Sequence, residues 1–249
     1  MRTLALVVEY DGSGYRGFAR QTGAPSIAQE LETALSILLG HSVRLVAAGR
    51  TDAGVHATGQ VVSFTTDSDF PIERLPIAVS ALLRERSIAV VRAVTRAAGF
   101  SARFDALARS YHYRILNRVA PSPLERSRVF HVGAPLDVES MRMAAEALRG
   151  THDFAALSAA DPAVEKTIRT VSHIDVARSG DFVQLDVTAD SFLHHMVRVL
   201  TGTLIEVGRH RRSARSIPAV LASGRREQAG FTAPPHGLYL THVTYADPL

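Results

Sequence analysis

The 249-residue chain contains no cysteine. That excludes disulfides, thiolate catalysis and cysteine-ligated zinc or iron–sulfur sites. No stretch approaches the ~18 consecutive apolar residues of a membrane-spanning helix, so no span is expected. Residues 1–10 lack the long apolar run and small-residue cleavage site of a secretory leader and read as a strand. A cytoplasmic location is the expectation. There is no Walker-type glycine loop and no Gly-x-Gly-x-x-Gly after a strand, so nucleotide-cradling loops are not indicated. The zinc pattern of two histidines four apart around a glutamate is also missing. His194 and His195 are neighbours, and on a helix neighbours point about 100° apart; with His56 and His236 they define no metal site, and no metal is expected. Lysine is nearly absent: of 28 Lys and Arg residues only Lys166 is lysine, leaving 27 arginines.

What is present is a globular composition, 46% hydrophobic and 21% charged, with a net charge of +4. Arginine offers a flat fork of donors that matches phosphate and stacks on bases. The excess has two readings, compositional bias and an anionic partner, and the modest charge alone permits the second without establishing it.

The pattern of elements repeats. The first half reads as a strand at residues 4–10, a helix, two strands around residues 48–57, a helix at 71–83 and a strand at 87–94. Ser26 with Gln29 forms a capping box, Ile27, Leu31, Ala34, Leu35 and Leu38 follow at helical spacing, and Gly40 ends the helix. The second half reads as a strand at 110–116, a helix capped by Asp137, a hairpin of strands at 167–177 and 182–188, a helix at 191–207 and a strand at 237–245. A further helix is expected at 216–223. Two α+β halves of β-α-β-β-α-β type follow, with the boundary at 100/101: residues 1–100 and 101–249.

Three positions stand out for chemistry. Asp52 lies in Gly49-Arg50-Thr51-Asp52-Ala53-Gly54-Val55-His56, a glycine-flanked connection between two strands. It reads either as a turn former bonding local amides or as an ionised, positioned carboxylate kept charged by a nearby arginine. Arg198 lies off the apolar stripe of its helix, four residues after His194 and so on its face. It is either solvated or the partner of a reacting carboxylate. Tyr111 and Tyr113 share one strand face, as core packing or as a plate that stacks an extruded base. Arginine clusters at 16 and 20, at 103 to 118 and at 209 to 215 read singly as solvated faces and together as a clamp on a phosphate backbone.

The chain resembles the tRNA pseudouridine synthase A family. The resemblance is carried by Tyr10-Asp11-Gly12-Ser13-Gly14-Tyr15, by the block from Gly49 to His56, by Ser101-Ala102-Arg103-Phe104-Asp105-Ala106, by Tyr111-His112-Tyr113, by Phe192-Leu193-His194-His195-Met196-Val197-Arg198 and by Gly237-Leu238-Tyr239-Leu240. It implies the pseudouridine synthase fold: two ferredoxin-like (RRM-like) halves joined into one extended, mainly antiparallel sheet. Asp52 matches the family's catalytic aspartate, Arg198 its basic partner and Tyr111 the tyrosine that packs on the target uracil. Arg50 matches the residue that guides the flipped base, and Leu240 falls in the apolar wall beneath it. His56 and His195 fall in the matched segments, Arg20 and Gln21 stand where many members have the Arg-Gln of Trp-Gln-Arg-Gln, and all four are expected to bind substrate. Phe18-Ala19 stands where many members have Trp-Gln, and Ser110 where an arginine is frequent.

The implied activity is conversion of uridine to pseudouridine in the anticodon stem-loop of tRNA, at tRNA positions 38 to 40, by a homodimer that needs no cofactor. Two rivals remain: a non-catalytic RNA-binding protein on the same fold, and a glycoside hydrolase, which calls for a second carboxylate in the cleft.

Overall fold

A computed structural model describes residues 1–160 and 166–249. In chain order the elements are β1 (Arg2–Tyr10), α1 (Ile27–Leu39), β2 (Val46–Ala47), β3 (His56–Thr66), α2 (Leu75–Leu82), β4 (Ile88–Arg96), β5 (Ala106–Leu116), β6 (Phe130–His131), α3 (Val138–Glu146), β7 (Gly150–Asp153), β8 (Ile168–Ser179), β9 (Phe182–Ala189), α4 (Met196–Gly208), α5 (Ile217–Ser223) and β10 (Leu238–Tyr245). The fold class is mixed α+β with mainly antiparallel strands, as the sequence pattern predicts. Among the described residues no helix is long and apolar enough to cross a membrane.

The chain forms two compact units, Met1–Leu107 with Tyr239–Leu249, and Ala108–Leu238. In the first, β1 runs antiparallel to β3 on one side and β4 on the other. The opposite edge of β3 is shared. β2 takes its far end through Val46↔Ser63, and β10 takes its near end in parallel through Tyr239↔His56 and Leu240↔Ala57. Gly59 makes this approach possible, since a Cβ there would stand 2.0 Å from the carbonyl oxygen of Thr241. Leu4, Leu6, Val8 and Tyr10 alternate along β1 and are buried, the period of two that a strand requires. The helix α1 starts where Ser26 Oγ accepts the Gln29 N–H (3.4 Å) and ends at Gly40 in the left-handed region (φ 75°). Its Ile27, Leu31 and Leu35 are buried.

The last strand was expected in the second half, but from Tyr239 on it belongs to the first unit. Tyr245 Oη donates to the carbonyl of Ala102 at 2.7 Å and its ring meets Phe100. No local periodicity encodes such pairings across more than a hundred residues.

In the second unit β5, β9, β8 and β7 form an antiparallel run, with the short β6 parallel to β5. Asp137 caps α3 by accepting the Ser140 N–H at 3.1 Å, and α3 packs on β8 and α4. The core of α4 includes Val197, Leu200 and Leu204. The segment after α5 lies directly on it, for a Cβ on Gly202 would be 1.8 Å from the Phe231 carbonyl oxygen.

Three boundaries differ from the sequence pattern. The strand before the Asp52 loop is only Val46–Ala47, and β3 begins at His56, so His56 is a strand residue and not a loop residue. The second helix opens with a 3-10 turn at Ile72–Arg74, and its α portion starts with Pro76 in the first turn, where a missing N–H costs nothing. The helix expected from residue 191 starts at Met196, because His195 is left-handed (φ 59°) and cannot continue a right-handed helix backwards. The helical spacing of His194 and Arg198 therefore fails: His194 precedes the helix.

Candidate active site

In the first unit, residues 48–55 connect β2 to β3, and Asp52 sits half-buried at their centre. The turn is closed by the Val55 N–H donating to the Asp52 carbonyl at 3.1 Å, with Gly54 left-handed (φ 78°). From beneath, Tyr10 Oη and Thr51 Oγ1 share a hydrogen bond of 2.8 Å. The Gln60 amide nitrogen donates to the Gly49 carbonyl at 2.9 Å and reaches Tyr10 Oη at 3.4 Å. Burial pushes the Tyr10 hydroxyl up to about 12, against the opposing hydrogen bonds from Thr51 and Gln60.

Two further segments press on the same loop. The Phe18 N–H donates to the Thr51 carbonyl at 3.0 Å. A Cβ on Gly17 (φ 98°) would stand 2.8 Å from that carbonyl oxygen, and one on Gly12 2.0 Å from the Val55 carbonyl oxygen. Glycine at both positions lets backbone meet backbone.

His56 is buried at the foot of the loop. Its Nδ1 lies 3.1 Å from the Gly12 nitrogen and 3.2 Å from Asp11 Oδ1. One ring nitrogen cannot accept from the first and donate to the second at once. A backbone amide can only donate, so Nδ1 is the acceptor of the Gly12 N–H. The His56 ring stacks on Tyr239, centroids 4.7 Å apart at 24°.

The other expected substrate-binding residues of this unit lie on several segments. Arg50 is exposed, two positions before Asp52. Arg20 pairs at 3.0 Å with Glu32, a nearly buried carboxylate of α1 that also accepts the Leu45 N–H at 3.1 Å. Gln21 is exposed and donates to the Arg16 carbonyl at 2.8 Å. Leu240 is fully buried, opposite Ala57 in the strand register.

In the second unit Tyr111 is buried in β5 opposite Val187 and meets the Phe192 ring edge-on, centroids 5.0 Å apart at 82°. Tyr113, on the same face, is fully buried and donates from Oη to the Pro234 carbonyl at 2.7 Å. Its hydroxyl is pushed up by burial, which the positive charge of Arg198 opposes. Arg198 sits in the first turn of α4. Its Nε donates to the Ala233 carbonyl at 2.8 Å, and the Ala233 N–H returns to the Arg198 carbonyl at 3.0 Å. His195 accepts the Val199 N–H at its carbonyl (3.0 Å), and its ring lies 3.8 Å from that of His194. A left-handed, non-glycine residue is an energetically unfavourable choice that surrounding structure must enforce.

Sequence reasoning missed Tyr10, Thr51 and Gln60 as a group, and Phe192 as the ring against Tyr111. Tyr10, Thr51 and Phe192 fall inside the motif blocks, but only the sheet register brings Gln60 to Tyr10.

The tRNA pseudouridine synthase family profile matches residues 6–105 and 144–246, a span that includes the Asp52 loop and Arg198. The chain belongs to this family, and it is an isomerase acting on uridine in tRNA. It is similar to the tRNA pseudouridine synthase A of Moorella thermoacetica, 44% identical over 98% of this chain and 100% of that protein. It is likewise similar to that of Methylobacterium sp., 46% identical over 98% of this chain and 97% of that protein. The protein of the same name from Pseudoalteromonas atlantica is 44% identical over 98% of this chain and 92% of its own length.

Proposed function

We propose that this enzyme converts uridines of the tRNA anticodon stem-loop, at tRNA positions 38 to 40, and that Asp52 carries the chemistry. The observation behind the second part is the setting of Asp52: a half-buried carboxylate on a turn held by Tyr10, Gln60, Gly12 and Gly17. A reacting group gains most when its own backbone is pre-positioned.

The reaction is an isomerisation. The N1–C1′ bond breaks, the detached uracil turns, C5 bonds to C1′, and the C5 proton is lost while N1 gains one. Nothing leaves and no water is consumed, so one carboxylate suffices where glycoside hydrolysis uses two. Two routes suit a positioned carboxylate: addition to the sugar or base, or removal of the C2′ proton to give a glycal. Tyr111 stacks on the uracil, and Arg198 acts as the basic partner of the aspartate. Arg50 guides the flipped base. Arg20, Gln21, His56, His195 and Leu240 serve the substrate directly or through the segments that bear them. Flipping a stem base costs roughly a few kcal/mol, which arginine contacts to the phosphate backbone offset. The enzyme acts in the cytoplasm as a homodimer.

Pseudouridine mapping of tRNA from cells lacking this protein tests the site assignment. Loss confined to positions 38 to 40 is expected, and loss elsewhere with those positions intact contradicts it. Light scattering of the pure protein should give twice the chain mass.

A further inference from the structure

We propose that Tyr10, Thr51 and Gln60 form a buried brace that positions Asp52 for turnover. The inference rests on the reading of Asp52 as the reacting carboxylate.

The three side chains come from β1, the loop and β3, and all are buried: Tyr10 is 2% exposed, Thr51 6% and Gln60 0%. Their polar atoms are mutually satisfied. Gln60 Oε1 accepts the Val61 N–H at 3.1 Å, and its Nε2 serves the Gly49 carbonyl at 2.9 Å and Tyr10 Oη at 3.4 Å. Tyr10 Oη in turn holds Thr51 Oγ1 at 2.8 Å. A fully satisfied buried network is rigid, because breaking any bond leaves a polar group without water.

The two ends of the chain fall at particular places. Gly49 is the residue before Arg50, and Thr51 is the residue before Asp52. The brace thus fixes the backbone on the amino-terminal side of both residues through bonds that involve neither of their side chains. The antiparallel pairing between β1 and β3 already holds those strands together, so the brace acts on the loop, beside the Phe18 and Val55 backbone bonds.

The test compares Tyr10→Phe, Thr51→Val, the pair combined and Thr51→Ser, with Asp52→Asn as reference, on a tRNA transcript carrying 5-tritiated uridine. A loop shifted by about 1 Å loses on the order of a hundredfold in turnover, so kcat should fall at least about tenfold in Tyr10→Phe and Thr51→Val. KM for tRNA should stay within about threefold, and Thr51→Ser, which keeps the hydroxyl, should recover most of the rate. The double variant should fall little further than the worse single, since both remove the same bond. Wild-type kcat in the single variants, with Asp52→Asn inactive, overturns the brace. So does a loss residing wholly in KM, or one Thr51→Ser shares with Thr51→Val. If Tyr10→Phe does not fold, the Thr51→Val and Thr51→Ser pair decides alone. An active Asp52→Asn removes the reading of Asp52 and the brace with it, a result distinct from an inactive Asp52→Asn beside active brace variants.

Discussion

The α-carbon of Gly12 lies flush against the carbonyl of Val55, so that a Cβ on Gly12 would stand 2.0 Å from its oxygen. The Gly12 N–H also donates to His56 Nδ1 at 3.1 Å. One residue of the Asp11-Gly12-Ser13-Gly14 turn thereby fixes the carboxyl-terminal end of the Asp52 loop. Gly14, two residues on, has nothing within 4 Å of its Cβ position. Gly12→Ala should destabilise the protein by about 2–4 kcal/mol through backbone displacement. It should also lower turnover, because the shift is transmitted to Asp52. Gly14→Ala should stay within about 0.5 kcal/mol of wild type. Urea unfolding of the two variants checks the contrast.

Alkaline pH should weaken the first unit through Tyr10. Its pKa is raised from 10.0 to about 12 in the folded protein by burial. Above pH 10 the unfolded chain loses this proton while the folded state keeps it, so stability is fully present below pH 10 and falls as pH rises toward 12. The full effect is roughly 2–3 kcal/mol, at about 1.4 kcal/mol per pH unit. Denaturant titrations at pH 9 and pH 11.5 should show a steep loss in wild type and a shallower one in Tyr10→Phe.

The second unit offers a separate test at Arg198. Its Nε–H to the Ala233 carbonyl fixes the guanidinium plane, and a lysine keeps the charge but has neither that donor nor the fork. Arg198→Lys should therefore lower kcat by at least about tenfold while KM for tRNA changes little. Steady-state kinetics on unmodified tRNA transcript measure both.

The sequence carried the element pattern well where the signal is local. The Ser26 and Asp137 caps, the Gly40 stop and the β8–β9 hairpin all follow from short-range spacing and occur as read. The errors share one cause. His195 turns left-handed under tertiary constraint, so α4 begins at Met196, not at residue 191 as its apolar periodicity suggests. The strand β10 pairs in parallel with β3 across the whole sequence, a partnership no window of residues contains. The candidate site divides the same way. Asp52, Tyr111 and Arg198 stand in recognisable blocks, whereas the contact of Gln60 with Tyr10 depends on the β1–β3 register. Arg20 reads as an RNA ligand in sequence; in the fold it faces the carboxylate of Glu32.

Tritium release from tRNA labelled at uridine C5 tests whether one aspartate performs the isomerisation, because C5 loses its hydrogen only when the new C5–C1′ bond forms. Asp52→Asn removes the charge and keeps the shape. This variant should release no tritium while binding tRNA within a few-fold of wild type. Tritium release by Asp52→Asn at a rate near that of the wild type would contradict it.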